Sequence, residues 1–137
     1  MLCPSAQPDM QGAVAFGVVQ GTPSDPKVGY LTDIIPATPE LLAVTGPIPP
    51  VEVFRFAAGC AENGCKHFQN CNCQLIERIV TLLPPTVDQL PACEIRPQCR
   101  WWLQSGKAAC LRCPQVVTQN YQPTEAMRQA AEPKSVA

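Results

Sequence analysis

Histidine is nearly absent. The chain of 137 residues has one, His67, beside nine cysteines. A Rieske centre needs two histidines on one iron and is excluded. Acid–base work of the Cys–His type has little room. No run approaches the ~18 apolar residues of a membrane-spanning helix. The opening residues, MLCPSAQPDMQ, lack the basic and apolar regions of a secretory signal. Neither GxGxxG nor a P-loop is present, and GTPSDPK (21–27) has neither the Gly-rich spacing nor the closing Lys-Ser/Thr of a Walker motif. There is no Lys/Arg run of the kind that marks nucleic-acid contact. The carboxylates Glu62, Glu77, Asp88 and Glu94 are scattered and suggest no catalytic dyad. The expectation is a cytoplasmic chain that is not an enzyme. In that compartment thiols stay reduced, and many cysteines read as metal ligands rather than disulfides.

Proline is plentiful, with sixteen residues in a chain where average usage would give about 5%. Each proline fixes φ and removes a backbone donor, so the expected fold is small, loop-rich and α+β. A hydrophobic fraction of 46% still allows a core. Charge is uneven. Residues 1–54 carry one basic and five acidic side chains, while residues 55–113 carry seven basic and four acidic. The cysteine-rich half is thus the cationic half, which suits thiolates held around a metal. It suits nucleic acid less well, because the excess is small.

One domain is expected over 1–137. A β-rich half spans 12–57, a cysteine-rich, metal-stabilised half spans 58–118, and a tail with a short helix spans 119–137. GAVAFGVVQ (12–20) and VGYLTDII (28–35) read as a hairpin around GTPSDPK, and VEVFRFA (51–57) as a third strand of an antiparallel sheet. PATPELLAVTG (36–46) predicts a short helix capped by Thr38, with Pro39 first and Gly46 last. QLIERIVTLL (74–83) places Leu75, Ile79 and Leu82 on one face, and Pro84 and Pro85 stop it. RWWLQS (100–105) predicts a helix ending at Gly106. PTEAMRQAAE (123–132) predicts a terminal one, followed by a fraying PKSVA end.

The cysteines fall into two clusters, Cys60-x4-Cys65-x5-Cys71-x-Cys73 with His67 inside it, and Cys93-x5-Cys99-x10-Cys110-x2-Cys113. Cys3 stands apart near the start and is expected to be a spare thiol. Cys110 and Cys113 form a short knuckle, whose turn lets two sulfurs converge. Zinc sites usually pair two such knuckles, whereas the other spacings here are irregular. A larger iron–sulfur cluster can be reached from wider spacings. Cys113-Pro114 is similar to the closing Cys-Pro of bacterial ferredoxins, but the C-x2-C-x2-C run is missing and no family is assigned. The sequence leaves open which of Cys71, Cys73 and His67 completes the first set. Trp101 and Trp102 are expected to shield a cluster from solvent. Arg96, Arg100 and Arg112, each near a cysteine in sequence, are expected to donate to sulfur.

The leading expectation is a small protein holding one or two iron–sulfur clusters of the [4Fe–4S] type. It would work in electron transfer or redox sensing, with a redox partner protein or as an accessory to a larger enzyme. The alternatives are a zinc-stabilised interaction module and a disulfide-bonded domain or thiol enzyme.

Overall fold

A computed structural model describes residues 1–133. The end of the PKSVA segment, beyond Pro133, lies outside the described residues. The chain opens with β1 (Leu2–Ala6), β2 (Val14–Thr22) and β3 (Asp25–Pro36). Two short helices, α1 (Pro39–Ala43) and α2 (Pro50–Val53), then lead into β4 (Phe54–Gly59). These strands form one antiparallel sheet in the order β1-β4-β2-β3. A two-stranded ribbon follows, β5 (Phe68–Gln69) and β6 (Asn72–Cys73), and then α3 (Gln74–Leu82). Helices α4 (Arg100–Ser105), α5 (Lys107–Cys110) and α6 (Glu125–Ala131) complete the chain. The architecture is therefore mixed α+β, as the sequence predicts, with an antiparallel sheet and several short helices.

Three differences from the sequence pattern have clear causes. The third strand begins at Phe54 rather than at residue 51. Pro50, with its φ already fixed near the helical value, starts the single turn α2 instead. The loop within GTPSDPK shrinks to Pro23-Ser24, because Thr22 and Asp25 pair and the Asp25 N–H bonds the Thr22 hydroxyl at 3.2 Å. An unforeseen strand, β1, lies along the edge of the sheet. Pro4 is tolerated there because an edge strand need not offer every N–H to a neighbour.

The helix signals hold. Thr38 caps α1 by accepting from the Leu41 N–H at 3.3 Å. Gly106 ends α4 with φ at +63°, a conformation that glycine adopts without steric cost. Thr124 caps α6 through the Met127 N–H at 3.2 Å.

Alternation along β4 sends successive side chains to opposite faces. Phe54 and Phe56 pack with Ala15 and Val51 under α1 and α2. Ala57 joins Phe16 on the other face, where they meet Ile76, Ile79, Ile95, Cys73, Cys99 and Trp101. A bulge between Ala15 and Gly17 shifts the register of β2 against both its neighbours. Gly17 is needed there, since a Cβ would stand 2.8 Å from a Val28 methyl. Arg55 also faces the cysteine side and is fully buried. The sheet thus presents one apolar face, with a cation in it, to the cysteine-rich half.

Candidate functional site

All nine cysteines are free, so the disulfide-bonded alternative finds no S–S pair. Eight of them fall into two neighbourhoods of four, one lining a common pocket and the other within reach of one another's charge. The first set is Cys3, Cys60, Cys65 and Cys73. Strand β1 pairs antiparallel with β4, setting Cys3 opposite Ala58, and the Cys60 N–H bonds the Met1 carbonyl at 2.9 Å. A 3₁₀ turn over Glu62–Gly64 brings the chain round to Cys65, whose sulfur accepts from the His67 N–H at 3.4 Å. Phe68 pairs with Cys73 across the ribbon. Arg100 lies 5.0 Å over the Phe68 ring and donates from Nε to the Cys60 sulfur at 3.1 Å. Burial pushes the Cys3 thiol up to about 11, opposed by the Ser5 N–H. Cys73, Cys60 and Cys65 lie close enough for their charge to raise it further.

The second set is Cys93, Cys99, Cys110 and Cys113. All four line one narrow pocket, walled by Phe16, Tyr30, Ile95, Trp101 and Trp102 among others. Burial pushes the Cys99 thiol up to about 12, opposed by the N–H groups of Trp102 and Trp101, while Cys113 and Cys93 raise it through their charge. Burial likewise raises Cys93 and Cys110. Arg55 reaches in from the sheet. Its Nη1 donates to the Cys113 carbonyl at 3.0 Å, to the Val116 carbonyl at 2.8 Å and to the Cys113 sulfur at 3.4 Å. Its Nη2 donates to the Pro4 carbonyl at 2.8 Å. Arg96 lies 5.6 Å over the Trp102 ring, with its guanidinium turned to Cys110.

Cys73 and Cys99 occupy equivalent places, each immediately before a helix. Neither makes a short capping bond. Their sulfurs nevertheless face free first-turn N–H groups, of Leu75 and Ile76 in one case and of Trp101 and Trp102 in the other, which favour the thiolate. Left alone, buried thiols stay protonated. A cation bound among them would replace those protons.

The structure does not bring every expected residue together. Cys71 is exposed at the tip of the ribbon, with φ at +63°. His67 Nδ1 pairs with Arg78 Nη2 at 2.6 Å. Burial, then the charges of Arg78 and Lys66, hold its pKa down to about 4, so it is neutral and accepts from Arg78. Arg112 donates to the Leu83 carbonyl at 2.7 Å and the Ala108 carbonyl at 2.9 Å, bracing helices rather than sulfur. Trp101, at 2% exposure, and half-buried Trp102 do wall the second set.

Two residues outside the expected site prove central to the geometry. Cys3 arrives on an unforeseen strand. Arg55 carried a signal, as a charge at an inward position of an apolar strand, VEVFRFA, which demands a buried partner.

Among the described residues, no group of three or more His, Cys, Asp or Glu is arranged to hold a metal ion. The same residues include no helix long and apolar enough to cross a membrane. Comparison with protein-family models, with curated proteins and with solved structures finds no match to this chain.

Proposed function

We propose that this chain is a small iron–sulfur protein, with a cluster in each set of four cysteines, serving electron transfer or redox sensing beside a protein partner. The observation that carries the reading is the division of eight thiols into two fours, each with an arginine N–H on one of its sulfurs. Four thiolates are the ligand complement of a [4Fe–4S] cluster, and hydrogen bonds to sulfur tune such a cluster's potential.

Two further features support it. The irregular cysteine spacings, with a single C-x2-C knuckle, suit a bulky cluster better than zinc, whose sites usually pair two such knuckles. The cationic excess of residues 55–113 offsets the charge that cluster thiolates would bring.

The test is iron and acid-labile sulfide content after anaerobic purification. About eight of each per chain are expected for two [4Fe–4S] clusters, with visible absorption that bleaches under dithionite. Zinc without sulfide would replace this reading with that of a zinc-stabilised interaction module.

A further inference from the structure

Three consecutive residues touch both cysteine sets. Cys99 belongs to the second set and lines its cavity. Arg100 turns the other way and donates to the Cys60 sulfur of the first set. Trp101 walls the second cavity and packs in the same buried cluster as Cys73 of the first. Backbone contact reinforces the junction, since Leu2, the neighbour of Cys3, forms an isolated parallel bridge with Cys99. Consecutive Cα atoms are ~3.8 Å apart, so the two sets stand side by side, and the Trp101 indole N–H faces the Cys73 sulfur.

Burial is graded in the same sense on both sides. Cys73 and Cys99, at 9% and 7% exposure, are the buried members of their sets. Cys3, Cys60 and Cys65 on one side, and Cys93, Cys110 and Cys113 on the other, are half-buried and lie nearer the surface. Each set therefore has one inner sulfur in the shared core and three outer ones. Two independent structural metal sites would have no need of this arrangement. Arg55 strengthens it, lying 5.8 Å over the Trp101 ring while donating to Cys113 and to the Pro4 carbonyl beside Cys3.

We propose that the two sets act as one electron relay: an electron enters through the outer sulfurs of one cluster, crosses the Cys73–Trp101–Cys99 junction, and leaves through the outer sulfurs of the other. This rests on the iron–sulfur reading. Each step moves one electron from a reduced to an oxidised cluster. No bond forms or breaks, and no proton is required. The outside donor and acceptor are one-electron redox proteins, with dithionite standing in for the donor in vitro.

The experiment is electron paramagnetic resonance on the full chain after anaerobic reconstitution with iron and sulfide. It compares the wild type with Cys60→Ala/Cys65→Ala, which empties the first set, and Cys110→Ala/Cys113→Ala, which empties the second. Fully reduced wild type is expected to show split, broadened and faster-relaxing signals that are not the sum of the two variants' spectra. If either variant fails to fold, wild type poised half-reduced serves instead. Its simple signal should change shape as the second electron enters. A doubly loaded chain whose spectrum is additive, or merely doubles in intensity, overturns the relay and leaves the iron–sulfur reading standing. Loading of a single cluster does the same. Absence of iron and sulfide overturns both.

Discussion

Cys93, Cys99, Cys110 and Cys113 come from one continuous stretch, and their cavity is roofed by Phe16 and Tyr30 from the sheet and walled by Trp101 and Trp102. Cys3, Cys60, Cys65 and Cys73 are gathered from the two neighbouring strands at one edge of the sheet and from the turn and ribbon beyond it. The first set exists only while the edge strand β1 stays paired with β4. Its Arg100 also reaches towards Glu62, whose side chain is 60% exposed, at 3.8 Å. Closing a long loop costs more entropy than closing a short one, though only slowly with length. The larger difference is enclosure. One set is locked between the sheet and the helices, while the other depends on a strand with a free end. The second set should therefore load first and release metal last, with the first set as the conditional partner.

The comparison can be broken most severely at Arg55. This guanidinium joins the sheet to the second set and holds the Pro4 carbonyl of β1 as well. Arg55→Met leaves three carbonyls without that donor, and is expected to cost about 3–5 kcal/mol in chemical denaturation of the reconstituted chain. It should weaken both sets together. A loss below about 1 kcal/mol would mean that the buried cation is incidental to the fold.

Arg100→Gln is milder and separates the two sets. It removes the Cys60 contact and is expected to cost about 1–2 kcal/mol. Iron release to a chelator should quicken for one cluster while the other keeps its rate. Equal acceleration of both would erase the distinction between a conditional site and an enclosed one.

The smallest effect is expected at the residues that the structure sets apart. Cys71→Ser should leave stability within about 0.5 kcal/mol and full iron content. His67→Gln should also retain all the iron, because its ring is paired with Arg78. Loss of a cluster from either variant would restore it to the ligand set.

What the sequence could and could not reveal follows the same division. The second set was legible because its four cysteines are neighbours in the chain, and because Gly106 and Pro114 punctuate the short turns between them. Helix α3 was legible from its apolar period and from Pro84, and α1 from the Thr38 cap. Cys3 was not, since nothing in MLCPSAQP announces pairing with a strand more than fifty residues away, and Pro4 makes the segment read as a loop. Cys71 looked like a ligand by proximity alone. Its left-handed backbone at the ribbon tip, invisible in residue spacing, turns it out to solvent. Arg112 looked like a sulfur partner for the same reason, yet the unpaired carbonyls of Leu83 and Ala108 claim it.

Native mass spectrometry of the anaerobically reconstituted chain tests the two-set assignment most directly. The wild type should carry the added mass of two four-iron clusters. Cys3→Ser should carry one, and Cys71→Ser two. A Cys3→Ser chain that still holds both clusters, or a Cys71→Ser chain that loses one, would contradict it.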